Sequence, residues 1–310
     1  MDEGYVLVIG SAGLDVKGRP SRELRPGSSH LGQVRNSIGG VARNIAENLA
    51  RLEVESILLS AVGDDVEGRR ILDYSSNKGI DCSHVRVLEG VRTSTFLAML
   101  DANGEVDTAI SDFEIMEWVN PDYLLSHEEL LAEAEMVVID ATLTEAALAT
   151  IFELAEKYSV RVCADPTMPM LASKLCPYIR QLHLIVPNEA ETNAMCGLEN
   201  PAHDRETAIS AARQLVTMGA YTAVVTLGEQ GLAYADGSGG GFIRAVHTQV
   251  VDATGAGDAL TGAVIFGLLN DVPLDEAMRL GVTAAALTLQ SVETVLPNLS
   301  QELLYDELVI

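Results

Sequence analysis

The chain has 310 residues, 48% of them hydrophobic and 21% charged, enough to bury one large core or two medium ones. Its 45 acidic and 20 basic residues give a formal charge of −25, a field that disfavours a nucleic-acid polymer or an anionic membrane as the main partner and leaves any bound anion to local donors. The four cysteines (Cys82, Cys163, Cys176, Cys196) form no CxxC pair and read as reduced thiols of a cytoplasmic protein, and with no signal-peptide pattern and no apolar run of about 18 residues neither export nor a membrane span is expected.

The first predicted element, YVLVIG (residues 5–10), is a short apolar run closed by glycine, as a strand buried on both faces reads. A polar stretch with Gly, Pro and Ser occupies 17–38. In GGVARNIAENLARL (39–52), Val41, Ile45, Leu49 and Leu52 recur at helical spacing behind a Gly-Gly pair, which predicts an amphipathic helix. ESILLSAVG (55–63) reads as a second strand. TSTFLAMLDANGEVDTAISDF (93–113) holds two β-rich runs around Asn103-Gly104, the dipeptide of a tight hairpin turn. Strands and helices then alternate: MVVID (136–140), a helix over 144–158, VRVCAD (160–165), HLIVPN (183–188), a helix over 205–218, and YTAVVTLG (221–228). This alternation predicts an α/β layered fold with a mostly parallel sheet. The two regions that interrupt it, 17–38 and 93–113, are expected to form a small β-element that covers the sheet as a lid.

Open α/β sheets bind ligands at the C-terminal ends of their strands. Those ends carry Asp15, Asp165, Asn188, Thr226 to Gly228, and the start of VVDATGAGDALTGAVIFGLL (250–269). The last stretch fits neither standard phosphate loop. No Gly-Lys pair exists for a Walker A motif, and GxGxxxxG near the C-terminus, with Asp258 where a pyrophosphate would sit, is not a dinucleotide fingerprint. Backbone N–H groups of Gly255, Ala256 and Gly257 at a helix N-terminus would instead form an anion hole, and the same field would keep Asp258 ionised. A carboxylate beside an anion hole suits removal of a proton from a hydroxyl that attacks a phosphoryl group. Plainer roles stand beside these: the glycines as turn geometry, Asp258 as a helix-start acid, Asp15 as a loop cap, Asn44 as a surface amide and Glu191 on a solvated helix face.

In these motifs the chain resembles the ribokinase-like (PfkB) family of sugar and nucleoside kinases, over nearly its whole length. DATGAGD (252–258) is similar to the family's C-terminal signature, with Ala253 a mild departure, and GGVARNIA (39–46) to its N-terminal one; PNEAE (187–191) matches Asn-x-x-Glu, and TLGEQG (226–231) matches Thr-x-Gly. The resemblance implies a three-layer α/β/α sandwich made of residues 1–13, 39–90 and 118–310, with a β-lid of 14–38 and 91–117 through which two copies pair. It implies Asp258 as catalytic base, with Gly255, Ala256 and Gly257 as the anion hole. Asp15, Gly39, Gly40 and Asn44 would hold the acceptor hydroxyls. Asn188, Thr226, Gly228 and Gly231 would lie along ATP. Glu191 would hold Mg²⁺ through water, and a monovalent cation, K⁺, would be held near Asp252, mostly by backbone carbonyls. Gly13 stands where the family often has Asn. Within the family, LLSAVGDD (58–65), TSTFLAMLDANGEV (93–106) and AISDFEI (109–115) look like the pseudouridine kinase subgroup, which implies transfer of the γ-phosphoryl of ATP to the nucleoside 5′-hydroxyl, with Thr95 and Asp112 of the lid on the nucleoside. Ribose, a fructose-type sugar or adenosine are the alternative acceptors, and a ligand sensor without catalysis is the alternative outside enzymes.

Overall fold

In the computed structural model, which describes residues 4–24, 27–101, 106–197 and 202–308, the chain wraps helices around a nine-stranded sheet. The strands in chain order are β1 (Val6–Ile9), β2 (Gly13–Pro20), β3 (Gly32–Gly39), β4 (Ser56–Leu59), β5 (Ala61–Gly63), β6 (Ile80–Asp81), β7 (Arg86–Leu88), β8 (Ser94–Leu100), β9 (Val106–Asp112), β10 (Met136–Asp140), β11 (Arg161–Asp165), β12 (Leu182–Ile185), β13 (Thr222–Thr226), β14 (Gly231–Asp236) and β15 (Gly239–Arg244). The large sheet has the order β15-β14-β13-β12-β11-β10-β1-β4-β6. Its neighbours from β13 to β6 are parallel, and β14 and β15 add antiparallel at one edge.

The strand β1 explains the layering. All four residues are buried, and successive side chains point to opposite faces. Leu7 and Ile9 pack on one face with Leu148, Ile151 and Phe152 of helix Glu145–Tyr158 and Leu215 of helix Arg205–Met218. Val6 and Val8 pack on the other with Ile45 and Leu49 of helix Val41–Arg51, Val264 and Ile265 of helix Ala256–Leu269, and Met278 of helix Leu274–Thr288. Two apolar cores on opposite faces make a continuous apolar strand the stable choice, and the fold is a three-layer α/β/α sandwich. The strand expected over 55–63 is two strands: after Ser60 the chain leaves the large sheet, and β5 pairs with β7 in a small sheet of its own.

A separate four-stranded sheet, β3-β2-β8-β9, has β2 antiparallel to β3 and parallel to β8, with β8 antiparallel to β9. The Asn103-Gly104 turn expected between the last two lies outside the described residues. Most of β3 and all but one residue of β9 are exposed, with Val34, Val106 and Ile110 among the exposed apolar side chains. Its β2-β3 hairpin leaves from the C-terminal end of β1 and returns through Gly40 into helix Val41–Arg51. The direction of strand addition reverses between β1 and β10, the place where such sheets open a ligand crevice. No helix of the described residues is long and apolar enough to cross a membrane.

Candidate active site

A cavity of ≈ 380 Å³ opens at that reversal point, lined by Ser11 and Asp15 on the β1 side, Gly40 and Asn44 at a helix start, Thr95 and Phe96 on β8, and Thr254, Gly255 and Asp258. Its volume lies in the range of small-molecule sites. Helix Ala256–Leu269 is apolar all round and buried from Asp258 to Gly267, so packing on both sides holds its N-terminus still. Gly255 is the N-cap, at φ 82, and a Cβ there would lie 1.8 Å from the carbonyl oxygen of Thr294, so only glycine fits. Ala256 and Gly257 follow as the first helical residues, whose N–H groups have no intrahelical acceptor. Asp258 lies in this first turn with 8% exposure.

The sequence led to an ionised Asp258, favoured by the helix N-terminus. The structure corrects this. Burial pushes its pKa up to about 7; the Asn44 hydrogen bond opposes that rise, the Asp15 charge adds to it, Arg43 opposes it and Asp140 adds to it. Desolvation of a buried carboxylate outweighs the partial charge of a helix end. The group is therefore poised near neutrality, as a general base needs.

Asn44, which lines the cavity, donates one Nδ2 hydrogen to Asp258 Oδ2 at 2.6 Å and keeps the second amide hydrogen. Behind it stands Arg43, fully buried, which donates to Asn44 Oδ1, to Glu47 Oε2 at 2.5 Å, to the Gly39 carbonyl at 3.2 Å and to Thr294 Oγ1 at 3.4 Å. This guanidinium connects the carboxylate's partner, the end of β3 and the residue under Gly255. Sequence reading passed over it, because an Arg on an amphipathic helix normally faces water. Asp15 is buried on the cavity wall; burial raises its pKa to about 6, against the opposing charges of Lys17 and Arg43. The expected role of Gly39 changes. A Cβ there would lie 2.3 Å from Asp15 Oδ1, so the missing side chain makes room for a carboxylate and not for a ligand. Gly40 lines the cavity at φ 94, pressed on the Ser11 carbonyl.

Asp140 and Asp165 end adjacent strands in register. Asp140 Oδ2 accepts from the N–H and Oγ of Ser11 and from the N–H of Ala42, which locks the β1 turn to the start of helix Val41–Arg51. Asp165 is pushed well above the ordinary carboxylate range, by burial first and then by the charges of Asp258 and Glu191. It holds the N–H of Thr167, a cavity residue in the left-handed region at φ 65. Asn188 and Glu191 form a capping box on helix Glu189–Cys196. Asn188 Oδ1 accepts from Glu191 N–H at 2.9 Å, and Glu191 Oε2 accepts from Asn188 N–H at 2.8 Å. Glu191 is not on a solvated face: it is buried, and burial raises its pKa against the bonds from Asn188. Thr226 pairs with Asn188, a cavity residue, in a lone bridge, and Gly228 (φ 52) and Gly231 (φ 117) follow; none of these three lines the cavity.

On the small sheet, Thr95 lines the cavity and Asp112, its direct cross-strand partner, does not; Asp112 is exposed and borders a different depression with Arg92, Glu117 and Trp118. Phe96 and Phe113 line the cavity instead, and both stand inside the segments that carried the subgroup resemblance. Asp252 also differs from expectation. Its carboxylate is taken by Lys17 of β2, whose Nζ donates to Oδ1 at 2.9 Å and Oδ2 at 2.8 Å and also reaches Thr254 Oγ1. A monovalent cation does not fit at oxygens already held by an ammonium.

A glycine-capped helix start with a buried carboxylate in its first turn, and a second buried carboxylate lining the same strand-end cavity, suit phosphoryl transfer to a hydroxyl. The chain belongs to the PfkB family: the profile of the pfkB family carbohydrate kinases matches residues 3–301. It is 32% identical over 300 residues to the pseudouridine kinase of Escherichia coli K12, covering 96% of this chain and 95% of that one. It is 30% identical over 304 residues to the guanosine-inosine kinase of Exiguobacterium acetylicum, covering 93% and 95%. The Arabidopsis thaliana ribokinase complexed with ribose and ATP superposes with a TM-score of 0.85 at 22% identity, over 99% of each chain, which establishes the shared fold.

Proposed function

We propose that this kinase transfers the γ-phosphoryl group of ATP to the 5′-hydroxyl of a nucleoside, with pseudouridine as the acceptor and pseudouridine 5′-phosphate as product. The observation that carries the reading is Asp258, poised near neutrality at the head of helix Ala256–Leu269 in the cavity that Asp15 also lines. Asp15 accepts hydrogen bonds from acceptor hydroxyls. Asp258 takes the proton of the attacking one. The N–H groups of Gly255, Ala256 and Gly257 face the charge that builds on the phosphoryl oxygens. Phe96 and Phe113 offer aromatic faces to a base, which a free sugar would leave unused. ATP lies along Asn188, Thr226, Gly228 and Gly231, on the other side of Asp258.

Mg²⁺ fits beside Glu191 and Asp165, two carboxylates that burial raises, Asp165 further through the charge of Glu191, and a hydrated divalent cation would relieve that charge. When bound, the ion neutralises charge on the transferred phosphate. The exposed Val34, Val106 and Ile110 of the small sheet favour a lid that pairs with a second copy, which light scattering of wild type and Ile110→Lys would test. The four free cysteines favour a reducing compartment, the cytoplasm.

The test is a coupled ADP assay with pseudouridine, uridine, guanosine, inosine, adenosine and ribose. The highest kcat/KM is expected with pseudouridine. Guanosine or inosine in first place would favour the second reading, which the 30% identity to a guanosine-inosine kinase motivates. No ADP with any acceptor would leave a ligand-binding sensor.

A further inference from the structure

Lys17 and Asp252 meet in a way the phosphotransfer chemistry above does not use. Lys17 is two residues beyond Asp15 on β2, so both side chains leave the same face of the strand. β2 is an interior strand, held by β3 on one side and β8 on the other, which fixes the root of this long side chain. The ammonium has three N–H groups and meets three acceptors: both Asp252 oxygens and Thr254 Oγ1. Asp252 Oδ1 also accepts the N–H of Thr254 at 2.9 Å, closing a turn at the head of the segment that runs to Gly255. The side chains are 11% and 29% exposed, so solvent screens the pair only in part. Burial alone would raise the Asp252 carboxyl, yet the bonds from Lys17 and Thr254 hold it below its ordinary value. An ionised carboxylate at this place, in a chain of net charge −25, needs a local cation.

We propose that Lys17, carried on the small sheet, is the resident cation of the 252–257 loop: it holds the loop in its anion-binding shape, and the chain therefore needs no monovalent metal ion at Asp252. Lys17 is a positioning residue. It touches the loop and not the reacting atoms, and the small sheet and the anion hole are thereby tied by one charge. The inference rests on the kinase reading for its rate test but not for its binding test.

The experiment uses the full chain in a tetramethylammonium buffer free of K⁺ and Na⁺, with KCl or NH₄Cl added at constant ionic strength. Two quantities are read: the unfolding midpoint without nucleotide, and ADP release with Mg·ATP and the best acceptor. Wild type is expected to change by less than about twofold in kcat/KM and to show no midpoint shift specific to K⁺. Lys17→Met should lose about tenfold or more in kcat/KM, and should gain both rate and midpoint on addition of K⁺ or NH₄⁺. The double variant Lys17→Met/Asp252→Asn, which removes both charges, should fold and show no response to K⁺. Activation of wild type several-fold by K⁺ would overturn the proposal, as would a Lys17→Met variant whose rate and midpoint ignore both cations. Absence of ADP from every protein defeats the kinase reading instead, and the midpoint series still decides the role of Lys17.

Discussion

Replacing Asp258 by Asn should nearly abolish turnover and at the same time make the protein more stable. The side chain is buried, and its pKa rises from 3.8 to about 7 on folding. A carboxyl whose pKa is higher in the folded state favours folding at low pH and costs stability as pH rises toward that value. At 1.36 kcal/mol per unit, the rise of about three units corresponds to a ceiling of about 4 kcal/mol once the pH exceeds 7. Asparagine keeps an oxygen for Asn44 Nδ2 and removes the charge that Asp15 and Asp140 oppose. Thermal unfolding at about pH 8 should therefore show a midpoint several degrees above wild type, and at about pH 5, where the wild-type carboxyl is protonated, the gain should shrink. Loss of the base should lower kcat by about 10²–10⁴-fold. An Asn variant that retained a tenth of wild-type turnover, or whose stability gain were equal at both pH values, would refute the reasoning.

Three further outcomes follow from the same geometry. Since the base must be deprotonated, kcat/KM should rise with pH through about 7 in the free enzyme, measured as a pH–rate profile with ATP saturating; a profile flat from about pH 5.5 to 8 would remove Asp258 from the base role. Gly255→Ala forces a Cβ to 1.8 Å from the Thr294 carbonyl at a positive φ, so the helix start must shift; kcat should fall at least about 10²-fold while circular dichroism stays near wild type. Phe113→Leu trims an aromatic face of the cavity and should raise KM for a nucleoside by roughly threefold to tenfold, about 0.5–1.5 kcal/mol, with little effect on ribose; equal effects on both would place the base elsewhere.

Much of the architecture was legible along the chain, because each layer writes a local period. The continuous apolar run of β1 and the helical spacing of Ile45 and Leu49 follow from which faces are buried and need no knowledge of partners. Asp258 and the Gly255 turn were legible for the same reason: they are neighbours in sequence, and a helix start is a local object. The roles of their surroundings were not. Asn188 and Glu191 match a motif and also close a capping box, a choice decided by which atoms face inward. Thr95 and Asp112 stand directly opposite in the small sheet, yet only the first lines the cavity. Gly39 serves Asp15 of the neighbouring strand, and Arg43 reaches Thr294, 251 positions further along the chain. The Lys17–Asp252 pair spans 235 positions, and no periodicity connects them. The sequence by itself determined the alternation of strands and helices, hence a layered α/β fold, and the carboxylate at the helix head. Only the tertiary structure decided which charges meet and which carboxyls are buried, because desolvation and ion pairing depend on distances in space, and the chain brings those residues together only when the sheets close.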